Sequence, residues 1–134
     1  MKTINTILVV DDSAGDQFLS QAEIEDWDEG VKLLSAYDGN EALALLQQAD
    51  SPPDLVLLDI NMPSMNGLEF LAEYEKNNQV SLPPVVVMLT SSDQDRDKEQ
   101  AGIYKCVKEY MVKPLTQEKI NALAAAYPQW IKTE

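Results

Sequence analysis

The sequence predicts an alternating α/β domain built on a parallel sheet with helices on both faces. Three observations carry this reading. Short runs that are apolar almost throughout recur along the chain, which is how strands buried on both sides read. Between them lie segments whose apolar residues recur at helical spacing. The two kinds of segment alternate, and right-handed crossovers then leave few topologies.

The elements follow in order. Ile4–Val10 is a strand, and Ala14–Trp27 a helix with Ala14, Phe18, Leu19 and Ala22 on one arc. Val31–Ala36 is a shorter strand. Asp38 is an N-cap, and the helix behind it carries the stripe Ala42, Leu45, Leu46, Ala49 until Ser51-Pro52-Pro53 stops it. Leu55–Asp59 is the third strand. Gly67–Lys76 is a helix with Leu68 and Leu71 inward. Leu82-Pro83-Pro84 connects to the strand Val85–Thr90. Asp93–Tyr104 is a polar helix whose sizeable apolar contacts are Ala101, Ile103 and Tyr104. Val107–Val112 is the fifth strand. Thr116 caps a last helix with Ile120, Leu123, Ala124 and Tyr127 on one face.

The 134 residues suit one domain with one core. No apolar stretch approaches the roughly 18 residues of a membrane span. The opening MKTINTILVV runs straight into DD without a small-residue cleavage site, so a secretory signal is not expected. The chain runs out near the last helix, so no second domain or output domain is expected. A net charge of −13 argues against nucleic acid, which needs a basic footprint. The single Cys106 forbids an internal disulfide and fits a reducing cytoplasm. With no histidine in the chain, a Cys–His nucleophile is excluded, and Cys106 reads as a small packing residue.

The polar residues at the strand ends carry the chemistry. Strand one ends in Val10-Asp11-Asp12, strand three in Leu58-Asp59, strand four in Leu89-Thr90-Ser91 and strand five in Val112-Lys113-Pro114. In a parallel sheet these ends share one edge, where open α/β folds bind ligands. Three carboxylates, a hydroxyl and an ammonium therefore converge. Crowded carboxylates repel unless a cation joins them, and an all-oxygen set favours a hard ion such as Mg²⁺, with Mn²⁺ as the substitute. A cation beside a carboxylate, a Lys and a Thr can position and neutralise a phosphoryl group, and a carboxylate can itself be the nucleophile. Singly, each residue would be a helix cap, a turn or a loop. Their coincidence at successive strand ends is what points to a site.

The stretches LVVDDS, DLVLLDINMPSMNG, VVVMLTSS and YMVKPL together resemble the receiver domain of response regulators in two-component signalling, over essentially the whole chain. The resemblance implies a flavodoxin-like doubly wound (βα)5 fold with sheet order 2-1-3-4-5. It implies that Asp59 accepts a phosphoryl group from a phosphohistidine on a sensor histidine kinase or a histidine phosphotransfer protein. Asp11, Asp12, Asp59 and the backbone carbonyl of Asn61 would hold Mg²⁺ or Mn²⁺. Thr90 and Lys113 would hold the phosphoryl oxygens, and Tyr110 would be the aromatic that turns inward with Thr90. The Lys113–Pro114 bond would be cis. The expected protein is a stand-alone, cytoplasmic, bacterial phosphoprotein that phosphorylates and dephosphorylates itself. Its output would be contact with a further protein or onward relay, with homodimerisation left open. The movable element would be the polar helix over Ser92–Tyr104.

Two features depart from the family pattern or sit beside it. AGIYKCVKEYMVKP lacks the Gly-Ala or Gly-Val pair common before the switch aromatic, and Cys106-Val107 stands there instead. Phe18 is read as core, with contact to a phosphotransfer partner as the alternative. Two other functions stay open at this level. One is an Mg²⁺-dependent aspartate-nucleophile phosphohydrolase, although Asn61 stands where such enzymes usually carry a second Asp. The other is a degenerate receiver that binds partners constitutively, although the set Asp11, Asp12, Asp59, Thr90 and Lys113 is complete.

Overall fold

A computed structural model describes residues 6–48, 53–77 and 85–126. Five strands and five helices alternate: β1 (Thr6–Val10), α1 (Ala14–Trp27), β2 (Lys32–Ala36), α2 (Gly39–Gln48), β3 (Leu55–Leu58), α3 (Gly67–Asn77), β4 (Val85–Thr90), α4 (Asp95–Gly102), β5 (Val107–Val112) and α5 (Gln117–Ala126). All strand pairs are parallel and the order is β2-β1-β3-β4-β5, the doubly wound arrangement expected.

The continuous apolar runs explain themselves in the packing. Successive strand residues point to opposite faces, and both faces are covered. Leu8, Val10, Val56, Leu58, Val86 and Met88 pack with Phe70, Leu71 and Tyr74 of α3, Ala42 of α2 and Ala101 of α4. Ile7, Val9, Leu55, Leu57, Val87 and Leu89 pack with Ile24 of α1 and Ile120 and Leu123 of α5. Helix ends are tied as their sequences suggest. Asp38 Oδ1 accepts from Glu41 N at 2.8 Å, and Thr116 Oγ1 accepts from Lys119 N at 3.2 Å. Asn66 and Glu69 close a reciprocal capping box on α3, each backbone N–H donating to the other's side chain at 2.9 Å.

Three expectations are corrected. The arc Ala14, Phe18, Leu19, Ala22 is not the inward face of α1: Phe18 is 71% exposed and Leu19 57%, whereas Gln17, Ser20 and Ile24 are buried. The reason lies under the first turns of α1, where carbonyls at the ends of β1 and β2 need donors. Gln17 Nε2 donates to Val9 O at 2.9 Å, Asp11 O at 3.1 Å and Ala36 O at 2.9 Å. A buried amide that meets carbonyls is favoured where an aromatic ring would leave them unsatisfied. Second, the polar helix runs over Asp95–Gly102 only, with Ala101 as its buried residue, and Ile103 behind it is 73% exposed. Third, Asp59 lies one residue past β3, although Asp59 N still donates to Val10 O at 3.0 Å and extends the ladder. Ile4, Ala49 and Tyr127, and the connector Leu82-Pro83-Pro84, lie outside the described residues.

At the head of β5 the ladder is irregular. Val86 pairs with Val107 and Val87 with Glu109, so Lys108 is an extra residue. This is the segment that lacks the usual small-residue pair. Cys106 is buried there as the packing residue expected, with its thiol pushed up to about 12 by burial and by Glu75.

Tyr74 is the one polar misfit in the α3 packing. Its ring stacks on Phe70 at 5.8 Å, while its buried hydroxyl finds no hydrogen-bond partner among the described residues. Burial, with Cys106 and Glu75 nearby, pushes that hydroxyl up to about 12, so it stays a proton carrier without an acceptor. Replacing an unpaired buried polar group by an apolar one of the same shape is neutral or stabilising. Tyr74→Phe is therefore expected to gain between 0 and about 1 kcal/mol in chemical denaturation. A loss comparable to that amount would show that the hydroxyl has a partner in solution.

Candidate functional site

The parallel register brings four strand ends to one edge. Asp11 follows β1 directly and its backbone N–H donates to Ala36 O at 3.0 Å. Asp59 follows β3, held to Val10 as described. Both are nearly sealed, at 3% and 5% exposure, while Asp12 is exposed. One carboxylate oxygen from each of Asp11, Asp12 and Asp59 lies within 4.8 Å of the others. Lys113 follows β5. Its backbone N–H donates to Thr90 O at 2.8 Å and its bond to Pro114 is cis.

The Lys113 ammonium reaches three carboxylates: Asp11 Oδ2 at 2.7 Å, Asp16 Oδ2 at 2.7 Å and Asp59 Oδ2 at 3.1 Å. Burial alone would lower its pKa. The hydrogen bonds to Asp11, Asp16 and Asp59 more than reverse that, so the shift is upward and the group is a permanent cation at neutral pH. Asp11 shows the opposite balance. Burial raises its pKa, opposed by the bonds from Lys113 and from Ser13 N at 2.9 Å. One ammonium thus leaves the buried carboxylate incompletely compensated.

The donor set fits a hard divalent cation on two counts. Three carboxylate oxygens are gathered on one spot. Asp59 Oδ1 is buried and has no hydrogen-bond partner among the described residues, whereas Oδ2 is taken by Lys113. A buried carboxylate oxygen without a donor is costly, and a bound cation is one group that would satisfy it. Asn61 lies two residues past Asp59 and is exposed, on the loop before α3 whose Ile60 and Met62 are buried.

Thr90 ends β4 fully buried, with Oγ1 3.4 Å from the donor N–H of Ser92. Ser92 then leads outward. Its Oγ donates to Asp97 Oδ2 of α4 at 2.5 Å, and its carbonyl accepts from Tyr110 Oη at 2.8 Å. Lys98 of α4 stands 5.9 Å from the Tyr110 ring centroid. Burial, with the carboxylates of Asp97, Asp59 and Asp93, raises the Tyr110 pKa and keeps it a donor. All the side chains expected from the sequence therefore gather at or beside one edge. Asp16 is the addition that sequence reading missed. It sits three residues past the N-cap Ser13, where an acidic residue reads as a complement to the helix dipole. Its place in the first turn of α1, four residues past Asp12, was the signal available.

The chain matches the family model described as response regulator receiver domain over residues 7–125. It is 35% identical over 123 residues to the protein PilH of Pseudomonas aeruginosa, covering 89% of this chain and 97% of PilH. The crystal structure of a two-component response regulator from Cytophaga hutchinsonii superposes with a TM-score of 0.84 at 30% identity, covering 95% of this chain and 98% of that one. The Mn²⁺-bound form of the response regulator Rcp1, known from Synechocystis, superposes with a TM-score of 0.74 at 29% identity, covering 97% and 96%. Other curated relatives are far longer, and the chain spans 14% and 47% of two of them.

Gly67 shows how closely the loop after Asp59 must fold. Its N–H donates to Ile60 O at 2.8 Å, and a Cβ there would lie 2.3 Å from Asp59 O and 2.9 Å from Ile60 Cα. Both atoms are backbone and cannot swing away. Gly67→Ala is expected to cost about 3 kcal/mol in chemical denaturation, the upper range for overpacking. Stability equal to the wild type would mean that the loop has slack the geometry does not show.

Proposed function

The chain belongs to the response regulator receiver family, and from that premise we propose that Asp59 accepts a phosphoryl group from a phosphohistidine of a sensor histidine kinase or histidine phosphotransfer protein. The observation that carries the reading is the pairing of a sealed Asp59, one oxygen unpartnered, with a Lys113 ammonium already 3.1 Å from the other. In the transfer, a carboxylate oxygen of Asp59 forms a bond to phosphorus. The phosphorus–nitrogen bond breaks, and the imidazole leaves as the neutral base once it is protonated. Lys113 and the Thr90 hydroxyl receive the phosphoryl oxygens, with no proton transfer required of either. Asp11, Asp12, Asp59 and the Asn61 carbonyl are the residues that would hold Mg²⁺ or Mn²⁺. When bound, the ion neutralises charge on the transferring group.

The acyl phosphate adds charge at one sealed point. Thr90 moving toward it would give up Ser92 N and free Tyr110 and α4 to repack. The readout would be a changed protein-binding face or onward transfer along a relay. No helix among the described residues is long and apolar enough to cross a membrane.

Acetyl phosphate with Mg²⁺ is expected to add one phosphoryl group, seen by intact mass, and Asp59→Asn is expected to abolish it. Labelling of the variant at the wild-type rate would sink the assignment. The metal has its own test in thermal melting. Mg²⁺ at about 100 times its dissociation constant should stabilise by about 2.7 kcal/mol, and EDTA should remove the gain. Asp12→Asn should lose most of it; a gain unchanged in that variant places the ion elsewhere.

A further inference from the structure

An ammonium group has three N–H donors and no acceptor. Lys113 donates two of them to Asp16 at 2.7 Å and Asp59 at 3.1 Å, and pairs with Asp11 at 2.7 Å, so three carboxylates crowd the ammonium. Asp11 and Asp59 belong to the set gathered within 4.8 Å, together with Asp12, and Asp16 is not among them. Asp16 therefore competes for the lysine without sharing the work of holding a cation. Its backbone is fixed at the start of α1, where Asp16 N donates to Ser13 Oγ at 3.2 Å. Its side chain, at 41% exposure, can exchange the ammonium for water, which the 4%-exposed side chain of Asp11 cannot do.

We propose that Asp16 is a positioning residue that shares the Lys113 ammonium with Asp59 and yields its share when a phosphoryl group is in place. The inference rests on Asp59 being the acceptor. A phosphoryl oxygen that takes a donor from Lys113 must displace a carboxylate, and Asp16 is the one with least to lose. Charge-assisted bonds of this kind are short and directional. An N–H held by Asp16 is thus one donor fewer for an incoming phosphoryl oxygen, although Lys113 already reaches Asp59. Asp16 sets how readily the site is loaded and how firmly a loaded group is gripped.

The test compares wild type with Asp16→Asn and Asp16→Glu at saturating Mg²⁺. Phosphorylation by acetyl phosphate and affinity for beryllofluoride are expected to rise roughly fivefold in Asp16→Asn, the upper range for a partly exposed ion pair. Asp16→Glu, which can still reach the lysine, should return most of the way to wild type. The gain should persist near 1 M salt, where the Debye length is about 3 Å and long-range repulsion of the anionic donor is screened. In the metal-free protein, the ¹⁵N resonance of the Lys113 ammonium should move in Asp16→Asn and recover in Asp16→Glu. A helix-dipole role alone would lower the melting temperature and leave that resonance and the rate in place, and this result would overturn the proposal. So would a fall in rate, which would mean that Asp16 aims the lysine at Asp59. Wild-type protein that takes no phosphoryl group at all would overturn the acceptor reading and this proposal with it.

Discussion

A single ammonium facing three carboxylates is the interaction on which this structure turns. Like charges brought to one edge of a sheet repel, and burial sharpens the repulsion because little water is left to screen it. Lys113 offsets part of this by donating to Asp16 and Asp59 while pairing with Asp11. It does not offset all of it, since Asp11 stays raised and Asp59 Oδ1 stays unpartnered. The site is thus built short of positive charge. A site that is short of charge can take a cation and then respond to one more anionic group.

Holding those groups still is the task of the sheet. The core on both faces of β1, β3 and β4 fixes the strands rigidly, because a residue on either face has no room to slide. The ladder carries that rigidity past the strand ends. Asp59 N bonds Val10 O, Asp11 N bonds Ala36 O and Lys113 N bonds Thr90 O, so these three residues are each tied to a neighbouring strand by their own backbone. Gln17 adds a side-chain tie across β1 and β2 from the helix above.

The fold was legible because every strand in the sheet interior is apolar on both sides, a pattern that a parallel sheet with two covered faces produces and little else does. The carboxylates, Thr90 and Lys113 were legible because strand ends locate themselves. What failed was local. Hydrophobicity placed Phe18 and Leu19 inward, but the underside of α1 meets carbonyls, so hydrogen-bond demand outranked apolar burial and Gln17 took the inner face. Asp16 escaped notice for a related reason. Its partner is far away in sequence, and a carboxylate in a first helical turn already has a sufficient local explanation. The extra residue at Lys108 was foreshadowed only by the missing small-residue pair, which signals irregularity without giving its form.

The same contrast between rigid and loosely held parts bears on how a change at Asp59 could travel. α4 has eight residues and one buried side chain, and its N-cap Gln94 makes no side-chain capping bond. Few buried contacts leave little to hold a helix in place. Yet this helix is tied through Asp97 to Ser92, two residues from Thr90, and Ser92 in turn accepts from Tyr110. A short polar chain therefore runs from the buried Thr90 hydroxyl at the end of β4 to the least anchored helix of the described chain. In the proposed switch, movement at Thr90 would not have to deform the core, which resists it. It would only have to change which partner Ser92 keeps, and α4 and Tyr110 would settle to suit. In that switch, a rigid sheet edge joined to a weakly held helix through Ser92 would transmit a small displacement rather than absorb it.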